Sequence, residues 1–239
     1  MSVNILGKEY DIATTTILYL SYKNLTEIPE SIGSLSNLQV LYLSNNKLTN
    51  VPKSIGMLFN LRKLYLHNNK LTSLPESIQS LSNLQTLELS GNNLTELPES
   101  IQSLSNLKSL WLSNNNLTSL YESIGSLSNL HFLHLANNNL TSLPESIGSL
   151  SNLNDLYLSN NNLTYLPESI KILIETKYFE LDESSYDINN LSMDCHTLVL
   201  TYIKNNIINL PPSLKTLYLK SDIETDMIKL PYGCDIIRF

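Results

Sequence analysis

Leucines recur along most of this chain in a fixed phase: Leu18, Leu41, Leu64, Leu87, Leu110, Leu133 and Leu156 follow one another at 23-residue steps. Each copy reads Leu-x-x-Leu-x-Leu-x-x-Asn-x-Leu-Thr-x-Leu-Pro-x-Ser-Ile-x-x-Leu-x-x, as in LQTLELSGNNLTELPESIQSLSN from Leu84 to Asn106. Self-similarity at a fixed period decides architecture before local propensity does. Within LQTLELS, Leu87 and Leu89 alternate with Thr86, Glu88 and Ser90, and a period of two predicts a short strand with one buried face. Such a strand cannot bury its leucines alone. They leave water only when the next copy stacks beside it as a parallel neighbour, so the seven copies share one core.

Two further columns complete the repeat. Asn46, Asn69, Asn92, Asn115, Asn138 and Asn161 recur where the chain must bend away from the sheet, and an amide offers both donors and an acceptor to backbone groups of adjacent turns. They are expected to form a buried asparagine ladder. In LPESI the fixed φ and missing N–H of proline suit the first turn of a helix or 3-10 segment on the outer side. Beyond Glu175 the pattern degrades. Phe179, Leu198, Leu217 and Ile237 continue the strand series in KYFELD, HTLVLT, LKTLYLK and CDIIRF at spacings of 19, 19 and 20. Four more strands are expected there, the last covering the open end of the core. At the other end, VNILGKEYDI alternates around a Gly-Lys centre, which reads as a small hairpin capping the first repeat.

These residues resemble the leucine-rich repeat family, in particular the intracellular 23-residue class found in Ras-binding scaffold proteins and their plant relatives. The likeness spans Thr15 to about Glu175. It implies an α/β repeat fold, a leucine-rich repeat solenoid with a curved parallel β-sheet on the concave side and short helical or 3-10 turns on the convex side. The expected organisation is an N-terminal cap over 1–14, seven regular repeats over 15–175, and irregular shorter repeats with a C-terminal cap over 176–239, all in one solenoid. A plain repeat array rich in Asn, Ile and Tyr is also similar to leucine-rich repeat proteins of giant viruses that infect amoebae. AT-rich codons supply those residues, so AT-rich protists share the composition.

In a repeat stack the recurring residues hold the scaffold, and function is sought where the letters change. The position between the two strand leucines reads Tyr19, Tyr42, Tyr65, Glu88, Trp111, His134, Tyr157 and Glu180. Two residues earlier stand Ile17, Val40, Lys63, Thr86, Ser109, Phe132, Asp155 and Tyr178. Strand parity puts both columns on the inner face, with neighbours about 4.8 Å apart. Aromatic residues suit parallel strands simply because adjacent rings cover one another. Exposed in a contiguous strip, Tyr and Trp also supply binding energy at protein interfaces with little entropy cost. The candidate partner-binding residues are therefore Tyr19, Tyr42, Lys63, Tyr65, Glu88, Trp111, Phe132, His134, Asp155 and Tyr157. A second column, Glu30, Glu76, Glu99, Glu122, Glu145 and Glu168 with Lys53 as the exception, reads as a solvated outer face that favours each helical N-terminus.

Composition narrows the chemistry. A 42% apolar, 15% charged chain of 239 residues is a folded protein. A net charge of −7 and a pI near 5.1, with no run of Lys and Arg, argue against nucleic acid as partner. No basic-then-apolar start and no stretch of membrane-spanning length is present. Cys195 and Cys234 lie 39 residues apart and match neither a zinc signature nor a disulfide framework, which favours a reducing compartment. The expected location is the cytoplasm, or the host cytoplasm for a viral protein. His131 and His134 in HFLH sit three apart, which in a strand sends them to opposite sides rather than to one metal. Six Asn-Leu-Thr or Asn-Leu-Ser triplets arise from the repeat consensus and are expected to stay unmodified. No phosphate-binding or nucleophile motif occurs, and seven glycines leave little for a phosphate cradle. The resemblance implies protein recognition on the concave face, and the expected module is monomeric and non-enzymatic, without cofactor or metal. A substrate-recruiting adaptor of a ubiquitin-ligase-type or signalling assembly is the alternative, and an enzyme is the weakest reading.

Overall fold

The computed structural model describes residues 1–163, 167, 169–170, 178–180, 197–200, 208–210, 214, 216–219 and 228–238. Seven three-residue strands recur in the 23-residue phase: β3 (Ile17–Tyr19), β4 (Val40–Tyr42), β5 (Lys63–Tyr65), β6 (Thr86–Glu88), β7 (Ser109–Trp111), β8 (Phe132–His134) and β9 (Asp155–Tyr157). All pair in parallel with every leucine on its counterpart, Leu18 on Leu41 and so on to Leu133 on Leu156. An eighth strand, β10 (Tyr178–Glu180), joins β9 with Phe179 on Leu156. The central leucine of each regular strand is buried, and those leucines belong to one continuous core. Burying a leucine contributes about 1.5–3 kcal/mol, a gain open to a three-residue strand only through its neighbours.

The asparagine ladder is present and buried at all six positions. Asn69 shows its logic. Its Nδ2 donates to Leu66 O at 2.9 Å and to Leu43 O of the previous repeat at 3.0 Å, and its Oδ1 accepts the Leu48 N–H at 3.0 Å. Each side chain thereby pairs backbone groups of two repeats where the ladder of strand bonds has ended. A second asparagine column, unforeseen from the sequence, sits exposed on the strand-entry side: Asn60, Asn83, Asn106, Asn129 and Asn152 each donate to a carbonyl one repeat back, as in Asn83 Nδ2 to Phe59 O at 2.8 Å. A third comprises Asn45, Asn68, Asn114, Asn137 and Asn160, which hold φ near +55°, a conformation that asparagine tolerates better than most residues.

The outer side consists of 3-10 turns: η1 (Glu30–Ser34), η2 (Lys53–Met57), η3 (Glu76–Ser80), η4 (Glu99–Ser103), η5 (Glu122–Ser126) and η6 (Glu145–Ser149). Proline stands one position before the expected place: Pro29, Pro52, Pro75, Pro98 and Pro144 are N-caps with extended ψ, and Tyr121 replaces proline before η5. The cap carbonyl accepts the first bond of the turn, Ile32 N–H to Pro29 O at 3.0 Å in η1, so the missing N–H of proline costs nothing. The glutamates do more than face solvent. Glu30 accepts the Ser54 N–H at 2.8 Å, Glu122 the Ser146 N–H at 3.0 Å and Glu145 the Ser169 N–H at 3.3 Å, so each carboxylate caps the next turn along the stack. These junctions share a glycine. A Cβ on Gly33, Gly125 or Gly148 would lie 2.7, 2.5 or 2.4 Å from the following serine. Where Gln79 and Gln102 take that place, Glu76 and Glu99 make no such bond. The missing Cβ lets adjacent turns close to carboxylate reach.

The N-terminal hairpin pairs β1 (Ser2–Ile5) with β2 (Lys8–Asp11). Its turn is Leu6-Gly7, both at positive φ, one residue earlier than the expected Gly-Lys centre, because a two-residue turn of this hand needs both central residues left-handed. Ile5 is buried in the core and the Ser31 hydroxyl donates to Asn4 O at 3.1 Å, which seats the hairpin on the first turn. At the other end, β11 (Thr197–Leu200), β13 (Thr216–Leu219) and β15 (Asp235–Arg238) form a separate three-stranded parallel sheet. Two short strands, β12 (Ile208–Asn209) and β14 (Ile228–Lys229), pair with each other as a separate two-stranded sheet. The expected Ile237 is corrected by the register: Leu217 faces Ile236, which packs on the core, and Ile237 is 44% exposed. A one-residue slip exchanges the faces of a strand, and the true spacing from Leu217 is 19.

Candidate functional site: the concave face of the parallel sheet

With every central leucine turned inward, the flanking residues of each strand stand on the opposite, concave face. Register puts them in two straight rows. In the first, Tyr19 stacks on Tyr42 and Tyr42 on Tyr65, each pair with ring centroids 4.8 Å apart and nearly parallel planes. That separation is the strand spacing itself. Glu88 interrupts the row, and its Oε1 accepts the Ser90 N–H at 3.0 Å. The row resumes with Trp111, His134 and Tyr157, centroids 3.9 and 4.1 Å apart and rings tilted by 48° and 47°.

Mutual covering leaves these rings part-exposed. Tyr19, at the free end, is 66% exposed, whereas Tyr42, Tyr65, Trp111, His134 and Tyr157 are intermediate. Trp111 is accordingly less open than strand parity alone implies, because the His134 ring lies against it. Burial holds the His134 imidazole below its usual range, against the opposing pull of the Asp155 carboxylate, and its Nε2 is shut off from water without a hydrogen-bond partner. Burial pushes the Tyr65 phenol up, with Tyr42 and Glu88 adding to it. In the second row Lys63 is exposed, while Phe132 and Asp155 are half-buried and paired in register. His131 and His134 are engaged separately: His131 Nδ1 lies 2.7 Å from Asn129 O, and His134 sits between Trp111 and Tyr157. Among the described residues no group of three or more His, Cys, Asp and Glu side chains converges as a metal site.

Family models match the sequence in three places: a leucine-rich repeat region at residues 53–120, a leucine rich repeat at 13–71, and single leucine rich repeats at 129–150 and 152–173. A solved structure of a leucine-rich repeat protein from Leptospira interrogans is 30% identical, with a TM-score of 0.59 over 95% of this chain and 74% of that one. The chain belongs to the leucine-rich repeat proteins. No curated protein matches it. Leucine-rich repeat folds typically serve as protein–protein interaction modules. No helix among the described residues is long and apolar enough to cross a membrane.

Reading only the two aromatic-bearing columns missed other parts of this leucine-rich repeat surface. One position before each of the strands β4 to β9 lie Gln39, Arg62, Gln85, Lys108, His131 and Asn154, aligned by backbone bonds such as Gln85 N–H to Arg62 O at 2.8 Å. After the strands His67 occupies a position that is serine or alanine in the neighbouring repeats. Met57 and Phe59, 55% and 56% exposed, replace the serines that the first repeat and the third to sixth repeats carry there. The signal was available: aligning every column of the repeat exposes each departure.

Proposed function

We propose that this protein is a non-enzymatic interaction module that holds a protein partner on its concave face. The observation that carries the reading is the run of stacked, part-exposed rings from Tyr19 to Tyr65 and from Trp111 to Tyr157. Rings already ordered by their neighbours lose little entropy on binding, and they present large, flat contact area. Glu88, Lys63 and Asp155 punctuate the strip with charge, which sets orientation rather than bulk affinity. Tyr19 and Phe132 extend the contact at its end and flank. A curved sheet fits a convex domain or an extended segment better than a small molecule. The proposed setting is the cytoplasm, with residues 15–239 acting as one monomeric solenoid of the intracellular 23-residue class.

Affinity capture from cell lysate, run with wild type, Trp111→Ala, Tyr42→Ala and the outer-face variant Glu76→Gln/Glu99→Gln, tests it. A protein retained by wild type and the outer-face variant but released by Trp111→Ala is expected, since losing a central anchor typically costs about 2 kcal/mol or more. Undiminished capture by both aromatic variants would sink the assignment.

A further inference from the structure

The charges of this protein are sorted in space. From Ser31 to Pro75 there is no Asp or Glu, while Lys47, Lys53, Arg62, Lys63 and Lys70 give that block five positive charges in a chain of net −7. Along the strand-entry edge of the sheet, beside the concave face, the concentration is sharper. Arg62 and Lys63 enter β5, and Lys108 enters β7 in the same row as Arg62. All three are exposed, and among the described residues their cationic groups make no ion pair or hydrogen bond. The acidic side chains described on this face are Glu88, whose Oε1 accepts the Ser90 N–H, and Asp155, two strands beyond Lys108. The glutamates of the 3-10 turns stand on the far side of the molecule. Apolar surface shares the strand with the cations: Tyr65 stands two residues after Lys63 on the same face of β5 and stacks on Tyr42, and Phe59 is exposed in the segment leading into β5.

Resting on the concave-face reading above, we infer that the partner presents an acidic segment, laid across the strands, to the Arg62–Lys63–Lys108 patch. Unpaired cations on an acidic protein attract carboxylates and reject basic partners at little desolvation cost while they remain solvent-exposed. Phosphate polyanions are the weaker match, because Asp155, two strands beyond Lys108, repels a long polyanion that continues along the sheet past the patch. Geometry constrains the segment. Arg62 and Lys108 are two strands apart, about 9.6 Å at ~4.8 Å per strand. A polyproline II segment presents every third residue on one side at about 9.3 Å. Carboxylates at every third position of such a segment meet both cations in register.

Fluorescence anisotropy at low salt tests this with labelled proline-rich peptides carrying Glu, Gln or Lys at every third position, and with a single-stranded oligonucleotide. The Glu peptide should bind wild type and the outer-face variant Glu76→Gln/Glu99→Gln equally. It should bind Arg62→Gln/Lys63→Gln/Lys108→Gln about tenfold more weakly, and weaken with added salt. The charged side chains substituted here are all exposed, so those variants are expected to fold. If the Gln peptide binds as tightly as the Glu peptide and is lost on Trp111→Ala, the acidic-segment inference is overturned while the concave-face reading stands. If Glu-peptide binding survives both the cation variant and Trp111→Ala, both are overturned. Failure of the Glu peptide to bind, or tighter binding of the Lys peptide or the oligonucleotide, overturns the inference.

Discussion

The Glu30 carboxylate accepts the Ser54 N–H at 2.8 Å, so a side chain on one outer turn caps the next turn of the stack. The Ser54 hydroxyl beside it and the Ser54 and Lys53 N–H groups hold Glu30 below the usual carboxylate range. The Ser146 N–H and hydroxyl, with the Glu145 N–H, do the same for Glu122. A carboxylate lowered in the folded state contributes stability that is present above its unfolded pKa and is lost as pH falls through the lowered folded value. Thermal unfolding at stepped pH should therefore show wild type above Glu30→Gln/Glu122→Gln at neutral pH, with the gap closing below the ordinary glutamate pKa. A gap constant down to strongly acidic pH would show that the carboxylates cap nothing.

Close approach of the turns depends on the missing Cβ of Gly125, where an added one would lie 2.5 Å from Ser146 O. Gly125→Gln should force the junction open at a cost of about 1–3 kcal/mol and pull Ser146 out of Glu122's reach. Glu122→Gln should then cost less in the Gly125→Gln background than alone. Additive denaturation midpoints would contradict that coupling.

Neighbouring asparagines should respond differently. Asn115 is buried, with Nδ2 donating to Leu112 O at 2.9 Å and to Leu89 O at 3.1 Å and Oδ1 accepting the Leu94 N–H at 3.0 Å. Asn115→Ala should cost roughly 1–3 kcal/mol for the groups left unpaired. Asn114 is exposed at φ 57°, and the fourth repeat already carries Gly91 there, so Asn114→Gly should leave urea midpoints nearly unchanged. Equal losses at both positions would remove the ladder from the account of stability.

Trp111 and Leu112 separate contact from scaffold. Leu112 is fully buried, and Leu112→Ala should cost on the order of 2–5 kcal/mol through the cavity it leaves. Trp111→Ala removes a half-exposed ring packed on His134 and should cost well under that while weakening partner binding. A Trp111→Ala loss as large as that of Leu112→Ala would make the indole a core residue.

The sequence alone determined the 23-residue strand phase, the inward leucines, the asparagine ladder and the two rows of the concave face. Each follows from a period, and a period survives without coordinates because every copy meets the same surroundings. The tertiary structure decided what depends on the next copy rather than on the copy itself. Glu30 reads as a solvated charge until the turn of the following repeat brings the Ser54 N–H to it, and Gly125 reads as a neutral variant of Gln79 until Ser146 occupies the space of its Cβ. Trp111 faces outward by parity, yet His134 on the adjacent strand settles how much of it water reaches. Ile236 displaced Ile237 because beyond Glu175 the period no longer fixes the phase, and only pairing with β13 sets the register. Arg62 and Lys108 are 46 residues apart in the chain and two strands apart on the sheet, since stacking at a fixed rise turns long sequence separations into short distances.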